Sequence, residues 1–160
     1  MRVGAAFLRY GGIVVTSQLS ARVIREDGTV EELGVLSRRV VTDAYVNLLT
    51  DDLQASVAAH STLRFHAMGT GSTAEAAADT ALVTEVETRT SGTQVEGAST
   101  NIYRSVGTVT ATAARLIREH GLFSASTAGT LLDRSVFALI TLANGDGIEF
   151  TYELTSSSGG

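Results

Sequence analysis

Over residues 13–24 the odd positions Ile13, Val15, Leu19, Ala21 and Val23 are apolar, and the even positions include Thr16, Gln18, Ser20 and Arg22. Only Ser17 breaks the order. A period of two marks a strand with one face buried. The run leads through Asp27-Gly28 into a second extended stretch, residues 29–36. Asp-Gly between two such runs predicts a hairpin with a type I′ turn. Near the other end, Ile148, Phe150, Tyr152 and Leu154 alternate with Glu149, Thr151, Glu153 and Thr155, after the tight-turn sequence Asn144-Gly145-Asp146-Gly147. This pattern predicts that residues 131–142 and 148–155 form an antiparallel hairpin. Residues 156–160 read as a flexible polar tail with no means of packing.

One segment has a different period. Tyr45, Leu48, Leu49, Leu53 and Val57 recur at spacings of mostly three and four, which predicts one main helix over about 42–57. Thr42 or Asp43 can cap its start. Residues 63–68 read as a strand entering the turn Gly69-Thr70-Gly71-Ser72-Thr73, and the alanine-rich stretch 74–81 has room for one helical turn. Stretches 82–90 and 101–111 are β-rich, whereas 113–123 fits either a strand or a short helix ending at Gly121. The expected fold is mainly β, an antiparallel β-sandwich or barrel-like fold with one helix and an N-terminal hairpin or arm. Residues 1–36, the arm and hairpin, belong to the same domain as the core, residues 37–160.

Composition narrows the chemistry. The 160 residues contain no Cys, no Pro and no Trp, and all 12 Lys+Arg cations are arginine. Disulfides, thiol nucleophiles, Schiff bases and a phosphate-loop lysine are therefore excluded. A net charge of −5 argues against nucleic acid as the main partner. No eighteen-residue apolar run is present to span a membrane, and the start is too short in apolar residues for a signal peptide.

The glycine-rich Gly69-Thr70-Gly71-Ser72 lacks the third glycine and the lysine of a phosphate cradle, since Ala74 stands where that glycine would fall. It reads as a structural turn. His60, His66 and His120 include no pair three or four residues apart, so no helical metal pair exists. No Gly-x-Ser-x-Gly elbow occurs. Glu85 and Glu87 read as a solvated or salt-bridged strand edge, and Asn144-Gly145-Asp146-Gly147 supplies too few oxygens for calcium. No catalytic, cofactor-binding or metal-ligating residue is expected.

An ordered set of pieces spans roughly three-fifths of the chain. These are Phe65-His66-Ala67-Met68-Gly69-Thr70-Gly71 with Asp79-Thr80-Ala81-Leu82-Val83-Thr84-Glu85, then Gly97-Ala98-Ser99-Thr100-Asn101-Ile102-Tyr103-Arg104 and Ile117-Arg118-Glu119-His120-Gly121-Leu122-Phe123. Leu131-Leu132-Asp133-Arg134-Ser135-Val136-Phe137 follows, before the Gly-Asp-Gly turn and the final Phe150-Thr151-Tyr152 strand. In order and spacing they resemble bacteriophage virion structural proteins of the capsid decoration (cement) or minor capsid kind. The resemblance implies a non-enzymatic protein, without cofactor, that is assembled in the host cytoplasm. It would bind the outer head surface as a trimer or other homo-oligomer and steady contacts between major capsid subunits. A tail or neck component is the alternative within that class. A carbohydrate-binding module of a receptor-binding fibre is the alternative outside it, and the absence of Trp weighs against it.

Two sets of residues are singled out. Val3, Phe7, Leu8 and Tyr10 form an apolar arm for docking on capsid protein or a sister subunit, or else a first strand of the chain's own sheet. Arg38 and Arg39 are a basic pair for an acidic capsid surface, or an exposed loop pair. Glu85, Arg89, Glu119 and Arg134 are charges set among apolar neighbours, expected as Arg–carboxylate pairs fixing strand register or as independent solvated charges.

Overall fold

The alternating N-terminal run forms β1 (Gly12–Ile24), with Leu19, Ala21 and Val23 buried. The computed structural model describes residues 12–38, 40–55 and 62–159. β1 turns into β2 (Val30–Ser37), the hairpin expected from Asp27-Gly28. The turn is not type I′. The Gly28 N–H donates to the Arg25 carbonyl at 2.9 Å, the Arg25 N–H donates to the Thr29 carbonyl at 2.8 Å, and Gly28 (φ 85°) is the one left-handed residue of the turn. A three-residue loop therefore needs only one positive φ, which glycine supplies without steric cost.

β1 and β2 join β6 (Thr93–Glu96), β7 (Ile102–Thr110) and β10 (Gly147–Gly159) in one antiparallel sheet, ordered β2-β1-β10-β7-β6. The second sheet holds β3 (Val40–Val41), β4 (Phe65–Gly69), β5 (Glu85–Ser91), β8 (Arg115–Phe123) and β9 (Leu131–Leu142), ordered β3-β9-β8-β4-β5. The fold is a mainly β antiparallel sandwich. The chain crosses between the edges of the two sheets from β2 to β3 and from β5 through Gly92 to β6.

Helix α1 (Asp43–Ala55) begins where expected, with the Thr42 hydroxyl accepting the Tyr45 N–H at 3.3 Å as a cap. Tyr45 and Leu48 pack on the core, but Leu53 is 90% exposed, so the apolar face covers only the first two turns. The predicted end of the helix, including Val57, lies outside the described residues.

Three expectations are corrected. β9 and β10 are not a hairpin: the Asn144-Gly145-Asp146 turn carries the chain from one sheet to the other, and β10 pairs with β1 and β7. The Asp146 carboxylate fastens that turn by accepting from the Ala143 and Glu26 N–H groups and from Arg25. The polar stretch after Thr155 is not a loose tail, because Ser156, Ser157 and Ser158 pair with Val15, Val14 and Ile13 of β1. The backbone of β1 offers ladder partners whatever the side chains of the stretch are. Residues 74–81 form a turn rather than a helical turn, closed by Asp79 N–H to the Ala76 carbonyl at 3.0 Å. The ambiguous stretch 113–123 is the strand β8.

The core lies between the sheets, where Leu19, Val23, Ile148 and Phe150 of the first sheet pack in one cluster with Met68, Ile117, Leu122 and Leu142 of the second. A second small cluster, Ala67, Leu82, Phe123 and Leu131, covers the opposite face of the second sheet.

Candidate functional site

The glycine-rich turn after β4 cradles an anion, and the anion is the protein's own Glu119. Glu119 Oε1 accepts from the Gly71 N–H at 3.0 Å and the Thr84 N–H at 2.8 Å, and Oε2 accepts from the Val83 N–H at 3.1 Å. A Cβ on Gly69 or Gly71 would stand 2.5 Å from Glu119 Oε1. The glycines let the backbone approach a buried carboxylate, which is the use such loops make of glycine elsewhere.

Arg134 Nε completes the cradle by donating to Glu119 Oε2 at 2.9 Å. Its other nitrogens reach Asp79 Oδ2 and the Thr73 carbonyl, each at 2.9 Å. Both Glu119 and Arg134 are fully buried. The pair ties segment 70–84 over β8 and β9.

Glu85 and Arg89 meet in a bidentate pair, at 2.7 and 2.9 Å. The Arg89 guanidinium also lies 3.4 Å from the Phe123 ring centroid and donates to the Ala125 and Ala128 carbonyls. Glu87 does not share that partner: Thr112 and Arg115 hold its carboxylate at 2.6 Å each. Among the described residues Glu87 (φ 63°) and Ala128 (φ 53°) are the non-glycine residues in the left-handed region, and each is held by an arginine.

Between the sheets lies a polar layer. His66 Nδ1 is 3.0 Å from His120 Nε2, and His66 Nε2 is 2.9 Å from Ser105 Oγ. Neither ring is exposed, and His120 Nδ1 has no hydrogen-bond partner among the described residues. Gly107 and Gly92 make room, since a Cβ on either would come within 2.6 or 2.7 Å of the His66 ring. Burial lowers the His66 pKa to about 3, and burial together with His66 lowers that of His120 well below its ordinary value. Further along the layer, Asp133 accepts from Ser17 at 2.7 Å and Ser135 at 2.9 Å. Burial raises its pKa to about 6 against the pull of those hydroxyls.

No family model, no curated protein and no solved structure matches the chain.

The sequence named Glu85, Arg89, Glu119 and Arg134 as candidates for Arg–carboxylate pairs, and the fold joins them as Glu85–Arg89 and Glu119–Arg134. It gave no warning of Asp133, Ser17 or the His66–His120 contact, because each link joins residues far apart in the chain. Among the described residues no group of three or more His, Asp or Glu is placed to hold a metal ion, and no helix is long and apolar enough to cross a membrane. Val3, Phe7, Leu8, Tyr10 and Arg39 lie outside the described residues.

Arg38 is placed. Its Nε donates to Gln18 Oε1 at 2.9 Å, beside a groove of about 430 Å³ lined by Val15, Thr16, Ser17, Gln18, Glu153 and Thr155. That groove runs along an open strand edge. β2 pairs with β1 only from Leu19 onward, so no described strand covers the second edge of β1 over residues 13–18. β7 leaves β10 at Thr155 and Asn101 still bonds Ser156, so residues 12–14 and 157–159 form a two-stranded ribbon beyond the sheet. Ile13 is 80% exposed on it and Val14 is 49% exposed.

Proposed function

We propose that this chain is a non-enzymatic structural protein of a tailed-phage virion, and within that class a capsid decoration protein bound to the outer head surface. The observation that carries the reading is the ribbon of β1 and β10. A two-stranded ribbon is marginal on its own in water, and its N–H and C=O groups without a partner among the described residues are a template for another strand. Exposed Ile13 and Val14 add apolar contact where the edge is open.

The interior supports the same reading. Buried charges and hydroxyls on both faces of the second sheet are spent on Glu119–Arg134, Asp133–Ser17 and their neighbours, which fix one register and one loop position. A protein that works by adhesion needs such a stiff frame behind an edge that seeks a partner. The partner is the major capsid protein, and sister copies are seated beside it as a homo-oligomer. Val3, Phe7, Leu8, Tyr10 and Arg39, adjoining the ribbon and Arg38 in sequence, extend the same contact. The order and spacing of the pieces from Phe65 to Tyr152 support the virion assignment.

Quantifying the chain in purified particles tests the proposal. Copies on the scale of the shell lattice support decoration of the head, copies on the scale of the tail's symmetry move the protein to the neck or tail, and absence from finished particles refutes the proposal.

A further inference from the structure

We propose that the His66–His120 pair is an acid-operated latch between the two sheets, closed while both rings are neutral and opened when either takes up a proton. The two rings belong to the second sheet, on β4 and β8, and press against the first. Ser105 on β7 bonds His66 at 2.9 Å, and the Phe150 ring on β10 sits 4.4 Å from His120 and 6.5 Å from His66, centroid to centroid. Gly107 on β7 and Gly92 at the crossover leave no slack around His66.

The hydrogen bonds allow only the neutral forms. Each neutral imidazole has one N–H and one bare nitrogen. If His120 Nε2–H donates to His66 Nδ1, then His66 Nε2–H donates to Ser105 Oγ, and the unpartnered His120 Nδ1 is a bare nitrogen. In the reverse arrangement Ser105 donates, and His120 Nδ1–H is left buried without an acceptor. A further proton must either leave an N–H on His120 Nδ1, which has no acceptor, or set two N–H donors against each other at the His66–His120 contact.

Among the described residues no carboxylate contacts the pair. Along β4 the neighbour on the inner face is Met68, and along β8 it is Leu122. Glu119 on β8 points to the other face of its sheet, into the Gly71, Val83 and Thr84 amides. On β9, Ser135 lies opposite His120, and Asp133 beyond it is bound to Ser17 and Ser135. β7 presents Ser105 and Gly107, with the Tyr103 hydroxyl donating to the Leu63 carbonyl, and β10 presents Phe150 and the phenol Tyr152. A buried cation without a partner is expelled or exposed rather than tolerated.

The sign follows from linkage. The closed state binds fewer protons than the open one below an ordinary histidine pKa of about 6.5, so closure weakens as pH falls, by up to roughly tenfold per proton per pH unit. Asp133 works in the opposite direction, and His60 would add a third imidazole signal. The test therefore uses the full chain carrying Asp133→Asn and His60→Gln.

Urea unfolding of that protein at pH 7, 6, 5 and 4.5 is expected to show uptake of close to two protons on opening, and of close to one after His120→Gln. Nitrogen NMR of labelled histidine in the folded protein reads the same property where the His120 variant does not fold. Both rings are expected to stay neutral down to pH 4.5 until the native signals disappear. Proton uptake unchanged by His120→Gln, or either ring titrating above pH 5.5 with the native spectrum retained, would overturn the latch.

Discussion

Ser17 donates its hydroxyl to Asp133 across the gap between the sheets, with Oγ and Oδ2 2.7 Å apart. The one polar side chain on the apolar face of β1 is thus the one that meets a buried carboxylate from β9. With Ser135 on its other oxygen, Asp133 is bound by neutral donors alone and has a pKa of about 6.

The first prediction concerns that carboxyl. Its pKa is higher folded than unfolded, so the folded state binds more protons between pH 4 and 6, and stability is lost as pH rises through about 6. Asp133→Asn keeps the shape and can bond both hydroxyls. It should raise stability at pH 7 by on the order of 2–3 kcal/mol and leave it nearly unchanged at pH 4. Urea denaturation at the two pH values measures this, and a variant less stable at pH 7 would contradict it.

The reach of the sequence follows from these contacts. The β1–β2 hairpin and the start of α1 were legible because their signals are local: a period of two around Asp27-Gly28, and a cap at Thr42. Ser17 looked like a fault in the pattern because its partner is 116 positions away. The Gly69-Thr70-Gly71 turn read as a structural turn without a reason for its glycines, and they serve Glu119, 48 positions beyond Gly71. The serines after Thr155 carry no apolar signal, and only the exposed edge of β1 explains why they form a strand. His66 and His120 gave nothing at spacing three or four, yet antiparallel pairing of β4 with β8 brings them to 3.0 Å.

The second prediction concerns the carboxylate cradle. Glu119→Ala leaves three backbone N–H groups unpaired and strips Arg134 of its fully buried partner. The cost should be about 3–5 kcal/mol, with proteolysis first appearing in segment 70–84. Asp79→Ala removes the partly exposed partner of the same arginine and should cost less, about 1–2 kcal/mol. Chemical denaturation of the two variants gives the comparison, and equal costs would contradict the geometry.

The third prediction concerns room around the rings. A Cβ on Gly107 would stand 2.6 Å from His66 Cδ2 and 3.2 Å from Gly92 Cα. Gly107→Ala should cost about 1–3 kcal/mol by overpacking, and combining it with His66→Ala should recover part of that loss. Strictly additive costs in the double-mutant cycle would show that the two residues do not compete for space.

The fourth prediction concerns the ribbon. Ile13 and Val14 stand outside the core, so Ile13→Glu with Val14→Thr should leave the melting temperature within a few degrees of the wild-type value. The same changes should weaken particle binding by at least tenfold, about 1.4 kcal/mol. Binding at wild-type strength would remove the ribbon from the contact.

Adhesion to a shell is the claim from which the functional reading follows, and one titration addresses it. Purified chain is added to phage heads that lack it, and the bound fraction and the melting of the shells are followed together. Saturable binding at a fixed ratio to the shell subunit, with shells that melt at higher temperature, is the expected result. Heads that bind none of the protein and melt unchanged would contradict it.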